Sequence, residues 1–303
     1  MYNIIQKRKI WLTLSGLMVG LSIIFLVLWG LDFGIDFTGG SLLEVKYNIE
    51  RPSVPEVKEK LADLNLKSLV VQPVGSDEII LRFQETSEET HQAILNKLND
   101  YNSETSEEQK ENKVEELRFD SIGPSIGEEL KRKSLYAIVV VLIFIVIYIA
   151  FAFRKVSKPV ASWKYGMAAI IALFHDVLIV LGVFAILGKF FSFEINSAFV
   201  AAILTVIGYS VNDTIVVFDR IRENLPRSNE DFEGTINSSI NQTLTRSINT
   251  QLTTLLVLLS ILFFGGSTIR DFVLALSIGI FIGTYSSIFI ASPILVIWEK
   301  LKK

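Results

Sequence analysis

Cysteine is absent from the 303-residue sequence, and histidine occurs only twice, as His91 and His175. The absence of cysteine excludes disulfides, thiolate metal sites and cysteine nucleophiles, although it does not fix the redox compartment. Two histidines leave little room for a histidine-based metal site. The sequence also lacks a Walker-type phosphate loop and a nucleophile–base signature. We therefore predict a protein that is not an enzyme, with no cofactor, no metal and no nucleic-acid partner.

Long apolar runs dominate the rest of the chain. Half of the residues are hydrophobic and the mean hydropathy is +0.45, too high for an ordinary soluble domain. A helix needs about 20 apolar residues to cross a bilayer. Six runs are predicted to do so: 11–31, 134–153, 165–187, 196–220, 247–264 and 272–298. The first resembles a signal peptide, but its length and its lack of a small-residue cleavage pattern predict a retained transmembrane helix.

Residues 32–133 interrupt this pattern and predict a soluble domain. Short strands are predicted at 42–47, 68–73, 78–83 and 114–122, with amphipathic helices at 54–64 and 88–98. This order is the split βαβ pattern of a ferredoxin-like domain. Residues 100–112 lack apolar periodicity and predict a mobile loop.

The predicted fold class is therefore an α-helical polytopic membrane protein with six transmembrane helices, plus an α+β ferredoxin-like domain between helices 1 and 2. The predicted divisions are 1–31 for the amino terminus and first helix, 32–133 for the soluble domain, and 134–303 for the remaining helices.

The distribution of lysine and arginine predicts the orientation in the membrane. The amino terminus, a loop at 154–164, a polar loop at 219–246 and the carboxyl terminus hold three, four, four and three basic residues. The two short turns on the other side hold one each, Lys189 and Arg270. By the positive-inside rule both termini are cytoplasmic and domain 32–133 is extracytoplasmic. Lys131, Arg132 and Lys133 oppose this assignment, but long translocated domains are largely exempt from the rule.

Polar residues interrupt three consecutive predicted helices. His175 and Asp176 lie near the centre of the third, Asn212 and Asp213 lie in the fourth, and Arg246 opens the fifth. A carboxylate at membrane depth is unfavourable and normally faces a protein interior or a wet path, which makes Asp213 a candidate functional residue. Each group also has a purely structural interpretation. Asp213 could be a packing or hydrogen-bonding residue that never titrates, and His175 and Asp176 could form a mutual hydrogen bond that fixes helix packing. Arg246 could extend its side chain to the membrane interface.

The fourth and fifth predicted helices meet at the same membrane surface, so Asp213 and Arg246 lie at comparable depth and could form an ion pair. Movement of Arg246 relative to Asp213 would switch the proton affinity of the carboxylate. A proton crossing the membrane releases about 2.3 kcal/mol per 100 mV, enough to bias a two-state helix rearrangement. Thr243, Thr250 and Thr253 are predicted to share one helix face with Arg246, where helix packing is favoured over an ion path. Asn212, Ser210 and threonine hydroxyls also offer oxygen ligands for sodium.

Several motifs resemble those of SecD and SecF, the accessory membrane subunits of the bacterial protein-export machinery. FGIDFTGG at 33–40, with Gly34, Asp36, Gly39 and Gly40, resembles the signature shared by both subunits. Three further segments are similar to SecF in particular: IGPSIGEE at 122–129, GYSVNDTIVVFDRIREN at 208–224 with Gly208, Tyr209 and Ser210, and TRSINTQLTT at 245–254 with Thr250 and Thr253, followed by LFFGG. The resemblance covers essentially the whole chain.

This resemblance implies a SecF-type subunit of the bacterial inner membrane. Such a subunit would pair with SecD in a twelve-helix unit, dock on the SecYEG channel and use the proton gradient to help pull unfolded preprotein outward. Asp213 would be a carboxylate of the proton path, with Arg246 as its partner and a second carboxylate in SecD. The soluble domain would contact the emerging preprotein, and the coupling ion could be a proton or sodium.

Two other classes of function stay open. A proton-driven exporter of small or lipidic substrates of the RND superfamily would require a second six-helix half in the same chain. A scaffold subunit without a transport role would tolerate the exchange of Asp213 for asparagine.

Overall fold

The structure is a computed structural model that describes residues 1–48, 51–100, 114–153 and 161–301. The predicted loop 100–112 lies, after its first residue, outside the described residues, as do Arg154, Lys155 and Lys158. In chain order the elements are α1 (Arg8–Trp29), α2 (Ile35–Thr38), β1 (Gly40–Tyr47), α3 (Val54–Lys60), β2 (Val70–Val74), β3 (Glu78–Phe83), α4 (Glu88–Asp100), β4 (Val114–Ile122), α5 (Pro124–Ala152), α6 (Ser162–Phe191), α7 (Ser197–Asn224), α8 (Phe232–Phe264), α9 (Ser267–Ser286) and α10 (Ser292–Lys300).

These elements form two compact units. Residues 33–133 are the sheet domain, and residues 1–32 together with 134–303 are the helical unit. Six helices in the described part of the chain are long and apolar enough to cross a membrane, the sixth being α9 and α10 joined end to end. The prediction of a six-span membrane protein with an added α+β domain is therefore confirmed.

A four-stranded antiparallel sheet organises the sheet domain. Its strand order is β2-β3-β1-β4, which is the order that the split βαβ pattern requires. Leu43 on the central strand β1 pairs with Leu81 on β3 and with Phe119 on β4. Leu43 and Leu81 are fully buried and form one core with side chains of α3 and α4, including Val57 and Ile94. Apolar side chains at every second position thus set the register.

Gly39 and Gly40 make the turn that precedes the first strand of the sheet. Gly39 and Gly40 have φ values of 73° and 124°, which favour glycine over other residues. A Cβ atom on Gly40 would lie 2.6 Å from the carbonyl oxygen of Phe83, and one on Gly39 would lie 2.8 Å from Pro124 Cα. Gly34, by contrast, is extended at the start of α2, where Asp36 occupies the first turn. The sharp turn before β1 therefore rests on Gly39 and Gly40 rather than on Gly34.

Helices α6, α7 and α9 form the centre of the helical unit. About half of the most apolar window of α6 and of α7 is buried, against 11% for α1 and 6% for α5. Helices α7 and α9 approach closely at two glycines, because a Cβ atom on Gly279 would lie 2.2 Å from Val206 and one on Gly283 would lie 2.9 Å from Ser210. Small residues at such contacts allow the backbones of two membrane helices to approach each other closely.

The prediction of a polar loop at 219–246 is wrong, because most of this segment is helical. Helix α7 continues to Asn224, and α8 begins at Phe232 with the Asp231 side chain accepting from the backbone N–H of Gly234. The polar half of α8 is helical because its buried face carries hydrogen-bonding side chains. Asn237 Oδ1 accepts from the backbone N–H groups of Ile4 and Ile5, and its amide donates to the carbonyl of Tyr2. Helix α5 also begins ten residues before the predicted span at 134.

One turn of π-helix, Ser287–Ala291, separates α9 from α10. Pro293 follows in the first turn of α10 and has no N–H to donate to the carbonyl one turn before it. A π-turn accommodates such a missing hydrogen bond by inserting one extra residue. Ser286, Ser287 and Ser292, which flank or begin this turn, are all fully buried. The irregular turn therefore presents several hydroxyl groups to the interior of the helical unit.

Candidate functional site

Asp213 lies on the buried face of α7, where it contacts α8. Its side chain is 7% exposed, and Oδ1 accepts a hydrogen bond of 2.7 Å from Ser247 Oγ. Oδ2 is buried and has no hydrogen-bond partner among the described residues. A buried carboxylate oxygen without a donor is an unfavourable place for negative charge and is able to accept a proton. The structure thus places a titratable group with one unpartnered oxygen between two membrane helices.

Arg246 does not pair with Asp213 in this structure. The guanidinium is exposed and forms no ion pair within the described part of the chain. Ser247 is the next residue along α8, and one residue on a helix corresponds to a rotation of about 100°. The serine therefore faces Asp213, while the arginine points to the side of the contact. The predicted pair is replaced by a hydroxyl–carboxylate hydrogen bond.

Other predicted site residues fall on outward faces. Asn212 is exposed and lies about 100° around α7 from its buried neighbour Asp213. Thr250 and Thr253 are exposed, whereas Thr243 is buried, because the buried face of α8 at this level runs through Ser247, Gln251 and Leu258. Of the residues predicted to share one helix face, Thr250 and Thr253 are thus exposed like Arg246, and Thr243 is buried.

Asp176 is the acceptor of a second buried polar cluster, between α6, α7 and α9. The carboxylate is fully buried, and Oδ2 accepts from Ser210 Oγ at 2.6 Å and from Ser286 Oγ at 2.8 Å. Oδ1 lies 3.0 Å from His175 Nδ1. The mutual contact of His175 and Asp176 that was one alternative is thus present. It is part of a larger network that joins three helices.

Next to this cluster, the π-turn supplies a second serine to α7. Thr214 Oγ1 and Ser287 Oγ are 2.9 Å apart, and Ser287 also donates to the carbonyl oxygen of Gly283. Thr214 directly follows Asp213 in the chain. The polar cluster around Asp213 and the one around Asp176 are therefore adjacent along α7. Tyr209, from the same motif, bonds Thr254 of α8 through a hydroxyl pair at 2.7 Å.

Sequence reasoning missed Ser247, Ser286, Ser287 and Gln251. Serines in an apolar helix are commonly packing residues, which conceals their role. A signal was present, however, because Thr243, Ser247 and Gln251 recur at intervals of four residues and so share one helix face. Within the described residues, no group of three or more histidine, aspartate or glutamate side chains could hold a metal ion.

The exchange of Asp176 for asparagine is expected to leave assembly and gradient-driven export largely intact. Asparagine keeps the shape and one carbonyl oxygen, and the hydroxyls of Ser210 and Ser286 can rotate to accept from the new amide. Folding would be followed by size-exclusion chromatography and export in reconstituted vesicles. Loss of export from a fully assembled Asp176→Asn protein would instead make Asp176 a coupling residue.

The comparisons with known proteins agree with this architecture. Residues 102–301 match the family described as protein export membrane protein SecD/SecF, C-terminal, and residues 25–48 match the SecD/SecF GG motif. The SecF protein translocase subunit of Thermobaculum terrenum is 46% identical over 99% of this chain and 94% of its own length.

Two further relatives are longer proteins. The SecDF protein translocase subunit of Brucella abortus is 40% identical over 88% of this chain, which corresponds to 33% of its own length. The crystal structure of SecDF from Thermus thermophilus, described as translocon-associated, superposes with a TM-score of 0.84 at 35% identity, covering 99% of this chain and 39% of that one. This multi-pass membrane protein belongs to the SecF family and is a subunit of the Sec protein-export machinery.

Proposed function

We propose that this chain couples an ion gradient to the movement of preprotein through the SecYEG channel, acting together with a SecD-type partner. The observation that carries the proposal is Asp213, a carboxylate buried between two membrane helices with one oxygen unpartnered in the described part of the chain. Ionisable groups at membrane depth are rare outside ion pathways, proton relays and ligand sites.

The outward face of α7 has the features of a surface against which a helix of a partner protein could pack. Ala201, Thr205, Gly208 and Asn212 are exposed at intervals of three or four residues and form a stripe of small side chains. A Cβ atom on Gly208 would meet no atom within 4 Å in this chain. Small residues on a membrane helix allow a second helix to approach closely. Relatives in which a matching segment is fused into a longer SecDF chain suggest that SecD supplies this helix.

The coupling step follows from the contact between α7 and α8. When Asp213 is ionised, it requires donors, and Ser247 provides one of them. Protonation removes the charge and the need for a second donor, so the two protonation forms favour different positions of α8. A shift of α8 that brings Arg246 toward Asp213 would give the ionised form its cationic partner. The ion gradient would thus bias two helix arrangements.

The basic residues support the proposed orientation. With both termini in the cytoplasm, Lys7, Lys9 and Lys164 lie on the cytoplasmic side, and the sheet domain lies outside the membrane. In that position the sheet domain can contact preprotein as it leaves the channel. No hydrolysable nucleotide is required, because the membrane gradient supplies the free energy.

The proposal is tested by measuring preprotein translocation across the membrane of vesicles that contain this chain, a SecD-type partner and the SecYEG channel. Proton and sodium gradients are imposed separately, and completion of preprotein translocation is measured. We expect one of the two gradients to accelerate translocation only when this chain is present, and that gradient identifies the coupling ion. Equal translocation with and without the chain under both gradients would contradict the proposal.

A further inference from the structure

A groove of about 720 Å³ runs along the helical unit between the amino-terminal segment, α1, α8 and α9. This volume lies within the usual range of small-molecule sites, about 300–1,000 Å³. Apolar side chains form most of its walls, among them Ile4, Leu255 and Phe289. Leu252 on α8 and Phe281 on α9 are more than half exposed, so the groove is open to the surroundings of the helices.

Three residues that line the groove carry a polar group for which the described part of the chain provides no partner. Lys7 lines the groove, is exposed and has no acidic partner within the described residues. Trp11 Nε1 and Gln251 Oε1 are buried and have no hydrogen-bond partner in the part of the chain that the structure describes. Gln251 is only 4% exposed. A buried donor or acceptor without a partner costs about 1–3 kcal/mol, so a ligand that satisfies these groups would be bound favourably.

We propose that this groove binds one anionic phospholipid of the type of phosphatidylglycerol. The phosphate would pair with Lys7, and an ester carbonyl would accept from the indole N–H of Trp11. Lys7 and Trp11 are one helical turn apart, about 6 Å along the axis, which is the order of the headgroup-to-ester distance. The acyl chains would cover Leu252 and Phe281, and basic pockets between membrane helices are known to suit anionic headgroups.

The polar groups along the groove favour a lipid over an apolar helix from another protein. An apolar membrane-spanning helix would leave Lys7 and Trp11 without partners. A phospholipid satisfies the polar end and the apolar walls together.

The bound lipid would contact the helix that carries the partner of Asp213. Gln251 lies one turn beyond Ser247 on the same face of α8. A lipid held between α1, α8 and α9 would therefore restrain the position of α8. The binding itself requires only the membrane location of the chain and does not depend on the proposed coupling function.

The test uses the purified full chain in detergent and native mass spectrometry, with phosphatidylglycerol or phosphatidylcholine added. We expect one phosphatidylglycerol to be retained and phosphatidylcholine to be retained less. Lys7→Gln should lower phosphatidylglycerol retention about fivefold, the effect of one basic residue at an anionic surface. Lys9→Gln, which removes a nearby exposed lysine that does not line the groove, should leave retention unchanged.

A second pair of variants tests the groove itself. Leu252→Trp places an indole in the groove and should abolish retention, whereas Leu256→Trp, one turn further along α8 and outside the groove, should not. Equal retention within each matched pair would overturn the proposal. In intact membranes, photoreactive benzoylphenylalanine in place of Phe281 should crosslink to lipid, and a dominant crosslink to another protein chain would show that a partner occupies the groove instead.

Discussion

Asp213→Asn is expected to reduce gradient-stimulated export to the level observed without a gradient, while the protein still folds and assembles. Asparagine is nearly isosteric with aspartate and keeps the oxygen that accepts from Ser247 Oγ. It cannot be ionised, so the change of charge that distinguishes the two helix arrangements is lost. The measurement is preprotein translocation in reconstituted vesicles with and without an imposed gradient.

The matched control is Asp219→Asn, on the same helix. Asp219 is close to half exposed and pairs with Arg222 at 2.5 Å at the end of α7. The chemical change is identical, but an exposed ion pair contributes little, so export should be unaffected. If Asp213→Asn retains full gradient stimulation, Asp213 is a packing residue and the scaffold alternative takes the place of coupling.

Gly279→Leu is expected to prevent stable packing of α7 against α9. The added Cβ atom would lie 2.2 Å from Cγ2 of Val206, which is 1% exposed and cannot move aside. Overpacking of this kind costs about 1–3 kcal/mol, and separation of the helices would also stretch the hydrogen bonds of Ser210 and Ser286 to Asp176. The measurement is the thermal unfolding and monodispersity of the isolated chain in detergent.

Gly208→Leu provides the control, since Gly208 lies on α7 with open space around it. Both variants gain roughly 1 kcal/mol of helix propensity on replacement of glycine, so their difference isolates the steric clash. We expect Gly208→Leu to fold as well as the parent chain, although association with a partner helix should weaken. Comparable thermal stability of the two variants would show that the α7–α9 contact is looser than the structure indicates.

The sequence was sufficient to predict helices and strands that have a simple pattern of apolar and polar residues. The strands Glu78–Phe83 and Val114–Ile122 match their predicted bounds, and in the first of them apolar and polar residues alternate, which is a direct signal. The polar half of α8 was not predicted as a helix. Its buried positions are filled by polar residues whose hydrogen bonds are satisfied in the folded protein: Asn237 bonds the amino-terminal segment, and Thr243 donates to carbonyl oxygens of α8 itself. Such compensation is a property of the tertiary structure and is not visible in local hydropathy.

The candidate site was predicted in part, for a similar reason. Asp213 and Asp176 stand out because charge is rare in an apolar run, and the structure buries both. The partner of Asp213 was not predictable, since Arg246 and Ser247 are adjacent and the rotation of α8 about its axis decides which one faces the carboxylate. Ser286 reaches Asp176 beside a π-turn, and the local sequence gives no rule for where the register of a helix slips by one residue.

The contact between Asn237 and the amino-terminal segment also sets an order of events during biosynthesis. Ile4 and Asn237 are separated by 233 positions, so their hydrogen bond has to wait until α8 has been synthesised. At about 5–20 residues per second, translation of the intervening chain takes on the order of 10–50 seconds. The sheet domain, which is a compact unit of residues 33–133, can fold within that interval. The segment that contains Ile4 and Ile5 is thus fixed in its final position only after α8 has been synthesised.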